Sequence, residues 1–295
     1  MPESTSAASH ASPGQRLRAA WQAGAIQVPG VFNALVARMA ERLGFPAVYL
    51  SGAALSAAAA VPDIGLLTLT EFVEQARVIA QATLLPLLCD ADTGFGEALN
   101  VERTVQLFEA AGAAGIHLED QQLPKRCGHL SGKALVEPGA MAAKVRAAVA
   151  ARRDPHFVVM ARTDARGVTG FEDAVRRARL YLEAGADAIF PEALESAEEF
   201  AEFARAVPAP LLANMTEFGR SPNLDFAALM AMGYRMVLYP VTALRAALKA
   251  AEEVLADLLH KGHQRDRLPG MLTRAELYCL LDYSGFEARD RAYFG

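Results

Sequence analysis

Cysteine is scarce in this 295-residue chain: only Cys89, Cys127 and Cys279 occur. An odd, sparse set cannot build a disulfide framework, and no two are spaced as zinc ligands, so a reducing compartment is expected. Long apolar runs are also missing, which argues against a membrane span. Net positive charge is absent: 29 Lys and Arg stand against 34 Asp and Glu, giving −5. Nothing global then attracts nucleic acid or an anionic membrane, and an anionic ligand must be held by locally gathered cations. Residues 1–13 are rich in Ser and Ala and lack a basic stretch ahead of an apolar one. They read as a mobile tail rather than a secretory signal, and a cytoplasmic protein is the expectation.

What the chain does have is alternation. Short apolar runs at 26–29, 47–50, 86–89, 115–118, 157–161, 188–190, 210–213 and 235–238 read as strands. Amphipathic segments at 35–43, 71–82, 101–111, 141–151, 171–184, 197–206 and 226–232 separate them, and a long helix follows from 243 to about 259. Strands alternating with helices imply parallel pairing with both sheet faces covered. Eight such units in roughly 230 residues predict a (β/α)8 TIM-type barrel, whose typical length is about 250. The rival, an open doubly wound sheet, would be favoured by a Gly-x-Gly-x-x-Gly turn after the first strand, and none is there. Gly44, Gly112, Gly185 and Gly233 each stand just past a helical segment, where a left-handed cap is expected. The barrel is assigned to 14–262 and a C-terminal helical extension to 263–295, with Thr273 and Glu276 spaced as a helix-starting cap. The extension's apolar stripe needs a partner, either its own barrel or another subunit.

Polar residues cluster just after the strands: Tyr49 and Ser51, Asp90 and Asp92, His117 with Glu119 and Asp120, Arg162 and Asp164, Glu192, Asn214 with Thr216, then Arg245. In a barrel all of these share the C-terminal rim, where active sites are built. Asp90 and Asp92 are two apart on extended chain, so both are expected to face one side. Two like carboxylates call for a cation, and oxygen donors favour a hard one, Mg²⁺ or Mn²⁺. The alternative is that one of them caps the following helix. Glu119 and Asp120 are candidates to join the metal shell, directly or through water. Arg162, Arg245 and Arg274 are candidates for clamping carboxylates. His117 shares the Glu119 side of its strand. The run from Leu123 to His129 puts Lys125, Arg126 and His129 around one thiol, and those cations are expected to lower the pKa of Cys127. Such a loop can close over an anionic substrate and deliver a proton.

With these residues in view the sequence resembles the isocitrate lyase and phosphoenolpyruvate mutase superfamily, and within it the bacterial 2-methylisocitrate lyases. The resemblance runs from about residue 14 to 283. It is carried by Tyr-Leu-Ser-Gly at 49–52, Asp-Ala-Asp-Thr-Gly-Phe-Gly at 90–96 and Gly-Ile-His-Leu-Glu-Asp-Gln at 115–121. Lys-Arg-Cys-Gly-His at 125–129, Ala-Arg-Thr-Asp-Ala at 161–165 and Phe-Pro-Glu-Ala at 190–193 extend it. Ala-Asn-Met-Thr-Glu-Phe-Gly at 213–219, Leu-Tyr-Pro at 238–240 and Thr-Arg-Ala-Glu-Leu-Tyr at 273–278 complete it.

The resemblance implies a Mg²⁺-dependent lyase that splits a hydroxy tricarboxylate, 2-methylisocitrate, into pyruvate and succinate in propionate catabolism (the methylcitrate cycle). It implies that Asp90 and Asp92 hold the metal, with Glu119 in the shell and Asp63 acting through water. Ser51, Gly52 and Ala53 would contact the keto-acid half, Arg162 a carboxylate, and Cys127 and Gly128 would come from the mobile loop. Glu192, Asn214, Met215, Thr216, Arg245 and Arg274 would complete the pocket. Phe190, Leu238 and Pro240 resemble the methyl-accepting wall. The base would be Tyr49 or an oxygen near the metal, Lys125, Arg126 and His129 would face the developing anion, and Cys127 would protonate carbon. The family resemblance further implies a homotetramer with the C-terminal helix exchanged between subunits. One methyl is worth only about 1–3 kcal/mol of discrimination, so related activities stay open: 2,3-dimethylmalate or isocitrate cleavage, oxaloacetate decarboxylation or hydrolysis, or phosphonomutase chemistry. Ala53, where a second glycine is common, adds to that openness.

Overall fold

In the computed structural model residues 11–294 are described. The eight strands are β1 (Ile26–Pro29), β2 (Val48–Leu50), β3 (Leu87–Asp90), β4 (Gly115–Glu119), β5 (Val158–Thr163), β6 (Ala188–Pro191), β7 (Leu212–Asn214) and β8 (Met236–Tyr239). All pair in parallel, in the orders β2-β3-β4-β5-β6 and β1-β8-β7. Two parallel bridges, Gly30 with Tyr49 and Ile189 with Leu211, join the two arcs. The sheet therefore closes on itself, as the alternation of strands and helices predicts.

The helices in chain order are α1 (Pro13–Ala23), α2 (Ala34–Leu43), α3 (Gly52–Ala58), α4 (Leu69–Ala82), α5 (Ala98–Ala110), α6 (Pro138–Ala151), α7 (Phe171–Glu183), α8 (Ala197–Ala206), α9 (Phe226–Ala231), α10 (Thr242–Lys261), α11 (Arg274–Leu280) and α12 (Tyr283–Phe294). Sequence chemistry sets their ends. Thr68 and Glu71 form a reciprocal capping box on α4, and Thr273 and Glu276 do the same on α11. The four glycines expected past helix ends all have left-handed φ, between 87° and 105°.

Strand periodicity divides the core in two. Leu88, Val158, Met160, Phe190, Leu212, Met236 and Leu238 fill the barrel interior. Their alternates, including Cys89, Ile116, Leu118, Val159, Ala161, Ile189, Ala213 and Val237, pack against the helices. One boundary differs from the expectation. The tail assigned to 1–13 gives way earlier: Ser12 accepts from the Gln15 amide, Pro13 opens α1, and Leu17 and Trp21 join the interior cluster. The rest of that expectation, residues 1–10, lies outside the described residues. The short helix α3 is not among the expected segments, whereas α11 and α12 fall within the expected C-terminal helical extension. Among the described residues no helix is long and apolar enough to cross a membrane.

Candidate active site

The C-terminal ends of the strands converge on a cavity of about 100 Å³. Its acidic wall begins with Asp90 at the end of β3. The Asp90 Oδ2 accepts from the Gly52 amide at 3.0 Å and from the Tyr49 hydroxyl at 3.4 Å, and Oδ1 accepts from the Asp92 amide at 3.0 Å. A Cβ at Gly52 would stand 2.9 Å from that Oδ2, so glycine is what lets α3 begin against the carboxylate. Asp92 is not on extended chain as expected. Its φ of 46° is left-handed, and the side chain is aimed by a turn rather than by strand alternation. Neither aspartate caps the following helix, since Glu97 holds that position.

The Lys125 ammonium lies between Asp63 and Asp92, 2.8 Å from Asp92 Oδ1 and in direct contact with Asp63. Burial opposes its charge, but Glu119, Asp92, Asp90 and Asp63 together hold it above the ordinary lysine range. Even so the acidic wall is short of positive charge. Burial, with Asp90 next to it, pushes the Asp92 carboxyl up to about 7. Burial also raises Glu119 well above the usual carboxylate range, and Glu119 Oε1 has no hydrogen-bond partner. A buried acceptor without a donor, beside carboxylates that burial drives toward protonation, fits a divalent cation held by oxygen. Asp90 and Asp92 are the carboxylates of this wall that could hold such an ion, with Glu119 behind them; among the described residues no preformed set of three or more ligating His, Cys, Asp or Glu side chains is present, and Asp63 is engaged by Lys125.

Tyr49 and His117 are joined on this wall, whereas Asp120 takes a place other than the one expected. The Tyr49 hydroxyl is 2.7 Å from His117 Nε2, and burial and Asp90 hold the phenol well above its ordinary value. The phenol is thereby tied to both His117 and Asp90 at the edge of the acidic wall. Burial lowers His117 to about 4, so the imidazole is neutral at physiological pH. Asp120, offered as a metal ligand, points the other way. It accepts from the Thr163 and Tyr181 hydroxyls, both at 2.8 Å, from the Asp164 amide at 2.9 Å and from Arg177 at 3.3 Å. Strand alternation explains this, since Asp120 follows Leu118 toward the helices and not Glu119 toward the interior.

Arg162 occupies the centre of the opposite wall. Its Nε and Nη2 donate to Asp164 at 3.0 and 3.1 Å, and Nη1 is 3.1 Å from Glu192 Oε2. Glu119 Oε2 lies 3.4 Å from Nε, and the guanidinium carbon stands 5.0 Å above the Phe190 ring. Glu192 also accepts from Asn214 Nδ2 at 3.2 Å and meets His129 Nε2 at 2.8 Å. Burial works against the Glu192 charge, but Arg162 and His129 outweigh it and hold the carboxyl below its ordinary value.

The loop from 120 to 137 covers this wall. Gln121 exchanges two hydrogen bonds with the Arg126 backbone, both 2.9 Å, and Leu130 donates to the Cys127 carbonyl at 2.9 Å. His129 Nδ1 accepts from the Arg220 amide at 3.0 Å, which ties the loop to the segment after β7. Gly128 has no room for a side chain: a Cβ would lie 2.3 Å from Glu192 Cγ. The thiol of Cys127 faces the cavity but is not the activated thiolate expected. Lys125 is spent on Asp63 and Asp92 and His129 on Glu192, and burial raises the Cys127 thiol above its ordinary value. A protonated thiol is the form that can donate a proton.

Most of the expected substrate residues line this one cavity: Ser51, Ala53, Cys127, Gly128, Arg162, Glu192, Asn214, Thr216, Arg245, and the apolar Phe190, Leu238 and Pro240. Lys125, Arg126 and His129 line it too, with Tyr49, Asp63 and Asp90. Gly52 sits just behind the surface. Two expected residues are elsewhere. Met215 is buried among the helices in the outer core, as the alternate of inward-facing Asn214. Arg274 begins α11, is exposed, and lies outside the cavity of its own chain. Three residues were missed: Val241 on the apolar wall, Arg220 on the loop after β7, and Lys133, whose buried ammonium meets the Gly128 carbonyl and Asp164. Lys133 has no spacing signal, because a single lysine in a loop ordinarily reads as solvated.

Comparison with known proteins agrees with this geometry. Residues 17–259 match the family described as phosphoenolpyruvate phosphomutase. A 2-methylisocitrate lyase from Aeropyrum pernix is 56% identical over 265 residues, covering 90% of this chain and 85% of that one. One from Bacillus subtilis is 48% identical over 266 residues, covering 90% and 88%. Among solved structures, a 2,3-dimethylmalate lyase, itself described as a member of the PEP mutase/isocitrate lyase superfamily, superposes with a TM-score of 0.88 at 35% identity over 96% of both chains. A phosphonopyruvate hydrolase in complex with oxalate and Mg²⁺ superposes with a TM-score of 0.87 at 36% identity, covering 96% of this chain and 100% of that one. With the barrel closed, its acidic and cationic walls facing each other under one cysteine-bearing loop, and relatives matching over nearly the whole length, the chain belongs to the isocitrate lyase and phosphoenolpyruvate mutase superfamily.

Proposed function

We propose that the chain is a Mg²⁺-dependent carbon–carbon lyase, with Mn²⁺ as an alternative ion, that cleaves 2-methylisocitrate into pyruvate and succinate. The observation that carries this reading is the position of Cys127. Its protonated thiol faces a cavity whose far side holds Asp90 and whose lining includes Arg162 and the apolar Phe190, Leu238 and Pro240. Relatives at 45–56% identity that are named 2-methylisocitrate lyase support it.

Asp90 and Asp92, with Glu119 behind them, would hold the ion, which when bound would supply Lewis acidity toward a hydroxyl and the carbonyl formed from it. The chain's own residues do the rest. Arg162, already held in plane by Asp164 and Glu192, presents a fixed guanidinium to a substrate carboxylate. Ser51 and Ala53, at the start of α3, border the keto-acid half. The hydroxyl proton leaves on the acidic side, where the acceptors are. As the carbon–carbon bond breaks, its electron pair passes into the adjacent carboxylate, and Arg162 and Arg126, which line the cavity, oppose the charge that builds there. Cys127 then gives its proton to the carbanion carbon, releasing succinate. The closed loop keeps water out until this transfer is made.

The C-terminal extension packs on its own barrel where Leu280 of α11 meets α2, and the apolar surface it leaves exposed supports association with another subunit, for which the proposed form is a homotetramer with the extension exchanged. Leu272, Tyr283 and Phe286 are 51%, 46% and 59% exposed in the single chain. Exchange would also bring Arg274 to a neighbour's cavity. Sedimentation of the full chain reads this directly, and a stable monomer would rule it out. The activity is tested by incubating the protein with Mg²⁺ and a panel of 2-methylisocitrate, isocitrate, 2,3-dimethylmalate, oxaloacetate and phosphonopyruvate. The highest kcat/KM is expected for 2-methylisocitrate, with pyruvate and succinate in equal amounts. A higher value for another acid would replace the assignment.

A further inference from the structure

Lys133 is an unusual residue to find inside a protein. Its side chain is 1% exposed, and lysines are almost never fully buried without a paired charge. Taking an ammonium out of water costs several kcal/mol unless its partners make up for it. Its two partners lie on different parts of the site. One is the carbonyl of Gly128, the residue that follows Cys127 on the loop. The other is Asp164 Oδ1, at 2.9 Å, on the segment that follows β5.

Asp164 is the same carboxylate that grips Arg162 through two hydrogen bonds. Arg162 in turn meets Glu192, and Glu192 meets His129, the neighbour of Gly128. The contacts therefore form a ring: Gly128 carbonyl, Lys133, Asp164, Arg162, Glu192, His129, and back along the chain to Gly128. Within that ring Lys133 makes the link between the loop backbone and the base of the arginine that faces the cavity. Asp164 and Glu192 hold Arg162 without it, so removing Lys133 leaves the guanidinium in place. The Gly128 carbonyl, however, would lose its partner in a buried position, and the Cys127–Gly128 backbone would lose its direct tie to the barrel, leaving the flanking ties of His129 to Glu192 and of Gln121 to Arg126.

We propose that Lys133 is a positioning residue for proton delivery: it fixes the Cys127–Gly128 backbone over the cavity by joining it to Asp164. The catalytic part of this inference rests on the lyase reading; the anchoring part does not. The test is Lys133→Met, which keeps the length and removes the ammonium, with Lys133→Gln as the second variant if the first fails to fold. Two readouts are taken on the full chain. The first is the rate at which iodoacetamide alkylates Cys127, resolved by peptide mass spectrometry, with exposed Cys279 as the internal reference. The second is kcat and KM for 2-methylisocitrate with Mg²⁺.

Cys127 alkylation is expected to rise about tenfold while Cys279 is unchanged. The kcat is expected to fall about 100-fold, with KM within about fivefold of the parent because Arg162 stays held. A merely structural lysine would change both cysteines together, or lower the folded fraction without splitting kcat from KM, and either result overturns the proposal. So does a folded variant whose Cys127 rate rises less than threefold, or whose kcat stays within threefold. If the parent protein itself does not turn over 2-methylisocitrate, the lyase reading fails, and the alkylation rates alone decide whether Lys133 anchors the loop.

Discussion

Replacing Cys127 by Ser tests the proton-delivery step with the least disturbance to anything else. The two side chains differ by one atom, and the Cys127 backbone is held from outside its side chain, by the Leu130 amide and by Gln121 through Arg126. The fold and the loop position should therefore survive. What changes is the acid. A buried thiol with a raised pKa is still a far stronger acid than a serine hydroxyl, and a positioned general acid contributes about 10²- to 10⁴-fold. That corresponds to roughly 3–5 kcal/mol of barrier. The walls that bind substrate are untouched, so KM should stay within a few-fold. Two assays read the step: steady-state release of pyruvate, and incorporation of deuterium into succinate in D₂O with pyruvate and Mg²⁺ present. The variant should lose kcat by at least about 100-fold and lose deuterium exchange with it. Parent-level turnover in Cys127→Ser, with the loop intact, would refute the assignment of Cys127 as the donor.

Trp21→Ala should destabilise the fold by about 3–5 kcal/mol in urea unfolding, because it empties an interior site, while KM of the folded fraction stays unchanged. Asp120→Asn should cost about 1–3 kcal/mol, since one of the buried donors Thr163, Tyr181 and the Asp164 amide loses its acceptor while Arg177 keeps Asp173, yet leave the Mg²⁺ concentration for half-maximal activity as it was; a shift in that concentration would return Asp120 to the metal shell. The Asp92 carboxyl, raised to about 7 by burial and Asp90, favours the folded state fully below its unfolded value near 4 and loses that contribution as pH rises through 7. A bound divalent cation requires the ionised form, so the rise in Tm given by Mg²⁺ should be larger at pH 8 than at pH 6, and Asp92→Asn should shrink the difference. Equal shifts at both pH values would contradict the placement of Asp92 beside the ion.

How much of this was legible in the sequence depends on which physical rule each feature obeys. The eight strands were legible because each is a short apolar run closed by turn residues, and local composition is enough to find it. The acidic wall was legible for a related reason. Asp90, His117, Glu119, Arg162, Glu192 and Asn214 are the polar members of the inward-facing set, next to the ends of apolar strands. The same two-residue alternation, applied strictly, also places Asp120 with Leu118 and Met215 with Ala213, facing the helices. Asp120 is expected in the metal shell for standing beside Glu119, and Met215 in the pocket through the resemblance, and in both cases the alternation overrides the expectation. The helix α1 carried its own start signal, Ser12 followed by Pro13, but that signal is weak without a partner surface, and the barrel floor that receives Leu17 and Trp21 exists only in three dimensions. The thiol departs from its expectation for the opposite reason. Lys125 is two residues from Cys127 in sequence, but its charge is committed to Asp63 and Asp92, which the fold brings from 62 and 33 residues away. Nearness along a chain sets a field only when no stronger partner is nearer in space, and in a buried site rich in carboxylates the carboxylates win. Lys133 is the limiting case. Nothing around it in sequence marks it, because both of its partners are supplied by the closed loop and the strand beneath it, and a lysine's commitment to burial becomes visible only once those two are seen together.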